Sequence, residues 1–223
     1  MKIAVLGATG PTGQQVLRQS LERDHSVIAL VRNPQKVPPD LTKNPNLSVR
    51  VVDVTQKDSL APELEGLDAV ISCLGVRDFK SYWYCTLYSA TIGPIVEAML
   101  SANVSRLICV ASWGTKSAPD NPFFLDWVVK PLFLGAVLRD MRRMEEYLEA
   151  LPCSDGKLHW TVVRPPGLTD AAKSTGEVAV ASNGNWVPDA AHSMSRANVA
   201  AFLLDCLQTD LYDCQCVAIA MKN

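Results

Sequence analysis

The sequence predicts a doubly wound α/β fold, one parallel sheet covered by helices on both faces. Three observations carry that prediction. Lys2 to Leu6 is a short apolar run that leads into Gly7, Gly10 and Gly13, and a helical pattern follows from Gln14 to Arg23. Short apolar runs then recur along the chain with helical stretches between most of them, the alternation that parallel strands joined by helical crossovers produce. Hydrophobic residues make up 48% of the chain, ample for a core on both sides of a sheet.

Taken in order, Lys2 to Leu6 is the first strand and Ser26 to Val31 (SVIALV) the second. Pro34 to Pro45 is proline-rich and short enough to be a surface connection. Leu47 to Val54 is the third strand, Asp68 to Cys73 the fourth, Arg106 to Ala111 the fifth and Leu158 to Val163 the sixth. Helices are expected over Ser81 to Ala102 and over a long stretch ending near Leu151. Beyond Pro165 the pattern loosens into a short strand at Val178 to Ala181, a helix at Ser195 to Leu207 and a last strand at Cys216 to Ala220. There is no internal repeat and no low-complexity linker, so residues 1–223 read as a single domain. Right-handed crossovers would place a ligand across the carboxyl ends of the strands.

The opening turn has the chemistry of an anion site. A first glycine permits the tight turn, a second lets backbone approach a pyrophosphate, and a third lets helix and strand pack closely. Unpaired N–H groups at the helix start face the phosphates, helped by the positive end of the helix dipole. Gly7, Gly10 and Gly13 fill these roles, and Thr9 and Thr12 add hydroxyl donors. A glycine triplet placed after a strand and before a helix is the Rossmann-like dinucleotide fingerprint. NAD-selective domains place a carboxylate at the end of the second strand, but here the strand ends Val31-Arg32-Asn33. A guanidinium there pairs with a 2′-phosphate, which favours NADP(H). Asp53 is placed to meet the adenine edge, Leu74 and Gly75 allow backbone near the cofactor, and Arg77 is in reach of a phosphate or an anionic substrate. Ser112, after the fifth strand, is the best-placed catalytic candidate, with helix capping as its structural alternative.

These segments resemble a known group. GATGPTG, VRN at Val31 to Asn33, DV at Asp53-Val54, CLGVR at Cys73 to Arg77, VAS at Val110 to Ser112 and WTVVRPP at Trp160 to Pro166 are similar to the atypical short-chain dehydrogenase/reductases. Within that group the likeness is to the NADPH-dependent flavin reductase (biliverdin-IXβ reductase) branch. The resemblance implies one domain that binds NADPH and reduces flavins, and linear tetrapyrroles as a further substrate class. It also implies Ser112 beside the nicotinamide, Arg77 near cofactor or substrate, and backbone contacts from Pro165, Pro166, Gly167 and Leu168. Its cofactor set is thus Gly7, Thr9, Gly10, Pro11, Thr12, Gly13, Arg32, Asp53, Val54, Leu74, Gly75, Arg77, Ser112 and Pro165 to Leu168. Gly167 is a departure, standing where well-known members carry histidine.

The remaining chemistry narrows the class. Ordinary short-chain dehydrogenases use a Tyr-x-x-x-Lys pair, but Asp126 stands four residues before Lys130 and no tyrosine lies between Tyr88 and Tyr147. Alcohol oxidation and sugar epimerisation by that pair are therefore disfavoured. Hydride transfer to an electron-poor ring needs mainly orientation, and solvent can supply the proton. The leading expectation is an NADPH-dependent oxidoreductase acting on a flavin or similar conjugated acceptor. The alternative is a non-catalytic NADP(H)-binding redox sensor of the NmrA-like kind. A net charge of −2 gives no electrostatic footprint for nucleic acid. The core strand at the start is expected to exclude a signal peptide. Pro122 to Leu138 is apolar but interrupted by Asp126, Lys130 and Pro131, so no membrane span is expected, and Phe123, Phe124 and Trp127 are candidates to line a pocket. Seven scattered cysteines without a CxxC pair suit a reduced, cytoplasmic chain with buried thiols. Cys214 and Cys216 are expected on one strand face, poor geometry for zinc, and no metal is expected. His159 reads as a packed or edge strand residue, His25 as a turn residue and His192 as part of a polar loop within reach of the active site. The chain is expected to act as a monomer on a small-molecule flavin or tetrapyrrole-like substrate.

Overall fold

The computed structural model describes residues 1–76, 83–116, 135–153 and 156–222. The strands are β1 (Lys2–Leu6), β2 (Ser26–Val31), β3 (Leu47–Val51), β4 (Ala69–Ser72), β5 (Arg106–Val110), β6 (His159–Arg164), β7 (Gly167–Thr169), β8 (Val178–Ser182), β9 (Ser193–Ser195) and β10 (Gln215–Met221). The helices are α1 (Pro11–Glu22), α2 (Lys57–Leu64), α3 (Leu87–Ser101), α4 (Gly135–Glu149) and α5 (Arg196–Asp205). Eight strands form one sheet in the order β3-β2-β1-β4-β5-β6-β10-β8. All its neighbours pair in parallel except β8, which runs antiparallel to β10 at the edge. The strand order reverses at β1 and β4, the switch point where such sheets bind ligands.

The predicted doubly wound sheet is present, and its central strands are buried on both faces. Residues Ile3 to Leu6, Ala69 to Ile71 and Leu107 to Cys109 are all almost completely inaccessible. One core packs α2, α3 and α4 against the sheet through residues such as Leu60, Ile95, Met99 and Leu148. The opposite core packs α1 and α5 through Val16, Leu17, Val199 and Leu203. Among the described residues no helix is long and apolar enough to cross a membrane.

Several boundaries differ from expectation. The third strand stops at Val51, because Asp53 starts a turn in which Thr55 N–H donates to Asp53 Oδ1 at 2.9 Å. The expected helix from Ser81 is described only as α3, and the apolar stretch from Pro122 only from Gly135 onward. Arg77, Phe123, Phe124, Asp126, Trp127 and Lys130 lie outside the described residues. The expected helix at Ser195 to Leu207 is α5 followed by a tighter turn at Cys206–Gln208, with Ser195 as its N-cap accepting from Asn198 N–H. The pair β7–β9 forms a separate small parallel sheet that the loosened pattern after Pro165 did not reveal.

The cysteine reading needs correction. Cys153 and Cys214 are joined in a disulfide with Cα atoms 6.3 Å apart, so the chain is not fully reduced. Cys214 also precedes β10 rather than sharing a strand face with Cys216, and its backbone is left-handed at φ 56°. Cys73, Cys85, Cys109, Cys206 and Cys216 lie outside any disulfide and are buried, as expected of packed thiols.

Candidate functional site

Register fixes which loops meet. Leu6 pairs with Leu30 on one side and Ser72 on the other, Ser72 pairs with Cys109, and Cys109 with Val162. The segments that follow, beginning at Gly7, Arg32, Cys73, Ala111 and Pro165, therefore leave the sheet along one edge.

Gly7 opens the cradle with φ +69°, a left-handed conformation that L side chains rarely adopt. A Cβ there would stand 2.3 Å from the carbonyl oxygen of Cys73, so β1 and the segment after β4 touch through bare backbone. Gly10 N–H donates to Gly7 O at 2.9 Å and closes the turn. A Cβ on Gly13 would stand 2.3 Å from Gly7 O, so the third glycine lets α1 sit directly on the turn. Pro11 opens the helix, where its missing N–H costs nothing. Gly10 is the N-cap and no side chain caps the helix, leaving its first N–H groups open to a ligand. The hydroxyls of Thr9 and Thr12, both half-buried, make no hydrogen bond among the described residues. This arrangement fits a diphosphate: bare backbone, orphan donors and a helix dipole converge, with no carboxylate in the turn.

Arg32 lies one residue beyond β2, exposed, and makes no hydrogen bond or ion pair among the described residues. Asp53 lies on the neighbouring edge after β3. Its Oδ1 accepts from the Thr55 hydroxyl at 2.6 Å and from Thr55 N–H, while its own N–H donates to Ser59 Oγ at 2.9 Å. These bonds, the Thr55 hydroxyl foremost, hold the Asp53 carboxyl below the usual range, with the nearby Arg32 charge adding to the effect. Asp53 is thus mainly a turn-maker. Val54 is buried beneath it in the core. Leu74 is half-buried and Gly75 exposed, and a Cβ on Gly75 would meet no protein atom within 4 Å. Burial pushes the Cys73 thiol up to about 12, so it stays neutral behind the cradle.

The segments after β5 and β6 are tied to each other through backbone. Ala111 N–H donates to Val163 O at 2.8 Å and Trp113 N–H to Pro165 O at 3.0 Å, which ties Ser112 to the Pro165-Pro166 turn. The Ser112 hydroxyl is half-buried, makes no hydrogen bond among the described residues and caps none of the described helices. Gly167 N–H donates to His192 O at 3.2 Å, and Leu168 pairs with Met194 in the small sheet. The glycine cradle and the rim formed by the segments from Ser112 and from Pro165 to Leu168 thus leave the sheet along one edge. His159 is remote from it, in β6 with Nδ1 2.8 Å from Asp213 Oδ2. His25 is also remote, and burial lowers its pKa first, with the N-terminal charge second.

Sequence reasoning passed over the buried polar groups that support this rim. Arg164, at the end of β6 and fully buried, makes a two-pronged pair with Glu145 of α4, both contacts at 2.8 Å. The same carboxylate accepts from Thr115 Oγ1 at 2.9 Å, three residues past Ser112. Asp140, also fully buried on α4, accepts from Tyr88 N–H at 2.8 Å and from the Ser89 hydroxyl, capping α3 from outside. The available signal was two acidic residues, Asp140 and Glu145, on the apolar stripe of α4. No group of residues suited to holding a metal occurs among the described residues.

Comparison with known proteins agrees with this geometry. A family model described as NAD(P)H-binding matches residues 7–210. The chain is 30% identical over 201 residues to Protein TIC 62, chloroplastic, of Arabidopsis thaliana, across 80% of this chain and 30% of that protein. It thus spans less than a third of that relative. A short-chain dehydrogenase/reductase (wide type) from Veillonella parvula, solved in complex with NADP, superposes with a TM-score of 0.80 at 16% identity over 98% of this chain and 94% of its own. A Streptococcus pneumoniae structure described as a candidate NADH-flavin reductase gives a TM-score of 0.73 at 21% identity, covering 100% of both chains. Cradle, sheet order and family match converge on one identification: this chain belongs to the NAD(P)H-binding family of Rossmann-like domains.

Proposed function

We propose that this protein is an NADPH-dependent oxidoreductase that passes hydride to a flavin or a similar conjugated acceptor, linear tetrapyrroles included. The observation that carries the reading is the combination of an uncapped α1 N-terminus over the glycine cradle with an Arg32 beyond β2 that has no hydrogen bond or ion pair among the described residues. The first suits a diphosphate and the second a 2′-phosphate, where a carboxylate would select NAD(H). NADPH, once bound, supplies the hydride. The chain's own residues hold the diphosphate, recognise the ribose phosphate and offer the Ser112 hydroxyl on the rim. The absence of a Tyr-x-x-x-Lys pair at Lys130 argues against carbonyl–alcohol chemistry by that pair and leaves electron-poor conjugated acceptors. The likeness to a candidate NADH-flavin reductase points the same way.

A second reading, a non-catalytic NADP(H) sensor, is favoured by the free Ser112 hydroxyl, which no neighbouring base activates among the described residues. Mixing the purified protein with NADPH and a panel of FMN, riboflavin, quinones and biliverdin separates the readings. Loss of the nicotinamide absorbance with at least one acceptor is expected. Tight NADPH binding by calorimetry with no turnover anywhere in the panel would establish the sensor instead.

A further inference from the structure

We propose that His192 is the acceptor-side acid of this site, the group that hands a proton to the acceptor as hydride arrives; the proposal rests on the reductase reading above. Two independent contacts fix His192 to the rim that carries Ser112. Its carbonyl accepts from Gly167 N–H at 3.2 Å, immediately before β9 pairs Ser193 with Gly167. A Cβ on residue 167 would stand 3.2 Å from that carbonyl, so the bare glycine lets the His192 backbone lie against the turn after Pro165-Pro166. Its imidazole meets the indole of Trp113 edge-on, with ring centroids 6.0 Å apart and planes at 76°. That indole is itself immobilised: Trp113 is 7% exposed, Nε1 donates to Ile219 O at 3.1 Å, and the backbone N–H donates to Pro165 O. Trp113 directly follows Ser112, so the imidazole packs against the residue next to that hydroxyl.

His192 differs from the other histidines in what its ring is free to do. His159 is taken by Asp213, and His25 faces the N-terminal ammonium at 3.4 Å. The His192 ring is exposed and makes no hydrogen bond or ion pair among the described residues. Among the described residues near the rim, Asp170 pairs with Arg196 at 2.6 Å beyond β7, and Lys222, opposite Ala190, pairs with Glu177 at 2.6 Å. The step balances. The acceptor takes a hydride and its electron pair from the dihydronicotinamide, which is oxidised while the acceptor is reduced. The acceptor's second hydrogen comes as a proton from the imidazolium of His192, whose N–H bond breaks, and water restores it.

Three histidines make the test direct. The His192→Gln spectrum assigns the imidazole proton signals, and NADP+ is then titrated into the wild-type protein. The His192 signal is expected to shift while those of His25 and His159 stay in place; a stationary His192 signal overturns the proposal. In turnover with NADPH and FMN or a quinone, His192→Ala is expected to lose at least about tenfold in kcat, as removal of a general acid does, with little change in KM for NADPH. Added imidazole should restore part of that loss. Full turnover by His192→Ala overturns the proposal and leaves the reductase reading standing. A wild type inert to every acceptor overturns the reductase reading itself, and the proposal with it.

Discussion

Gly7 shows how little freedom a single position in the cradle has. At φ +69° an L side chain costs about 1–2 kcal/mol from backbone strain alone, and here its Cβ would also press into the Cys73 carbonyl at 2.3 Å. Because that carbonyl belongs to rigid backbone, the strain cannot be relieved by a rotamer change. Gly7→Ala is therefore expected to lower the thermal midpoint and to abolish NADPH binding by calorimetry; a variant that keeps both would show that the turn is looser than the geometry indicates. Arg32 acts differently, because it is exposed and its loss disturbs no packing. A charge-assisted hydrogen bond contributes about 1.5–3 kcal/mol, so Arg32→Ala is expected to weaken NADPH by roughly tenfold or more and NADH hardly at all. Equal losses for the two cofactors would remove Arg32 from 2′-phosphate recognition. Both positions were legible in the sequence because their chemistry is local: a glycine spacing next to a strand, and the residue type at a strand end. His192 was legible only as part of a polar loop near the site, since its relation to Gly167 and Trp113 depends on the pairing of two three-residue strands.

Helix α4 carries a different lesson about its own sequence. Its apolar periodicity ends it correctly near Leu151, yet the same stripe holds Asp140 and Glu145, both buried. A charge on an apolar stripe signals a partner, but the stripe does not say which one. The partners come from distant elements: the start of α3 for Asp140, and Arg164 with Thr115 for Glu145. Because Arg164 closes β6 just before Pro165, the Glu145 pair fixes the strand end from which the rim departs. Removing one member of a buried pair leaves an uncompensated charge, a cost of about 3–5 kcal/mol. Glu145→Leu should lose stability on that scale in urea titrations, while the double variant Glu145→Leu, Arg164→Met should lose clearly less. Equal losses for single and double variants would mean that the pair holds no strained charge.

At the scale of the molecule, the doubly wound sheet was legible because buried parallel strands write themselves as uninterrupted apolar runs. What the runs could not reveal is closure: which edge strand turns antiparallel, and which cysteines meet. Val178 to Ser182 shows neither a clean alternation nor a buried run, and its direction is set by pairing with β10. Cys153 and Cys214 are separated by 61 residues and by the whole of β6 to α5, so only the folded backbone brings them within disulfide range. The bond joins the segment after α4 to the turn before β10, and it thereby restrains the strands next to the rim as one block. A cross-link over that separation is worth about 4 kcal/mol if it acts by restricting the unfolded chain. Reductant, or Cys153→Ser, should therefore move the urea midpoint down markedly while leaving NADPH affinity nearly unchanged, because the cradle lies on the other half of the sheet. A midpoint indifferent to reductant would show that the thiols remain apart in solution and would restore the reduced reading of the cysteines. A fall in NADPH affinity that matched the fall in stability would instead show that the two halves of the sheet fold and bind as one unit.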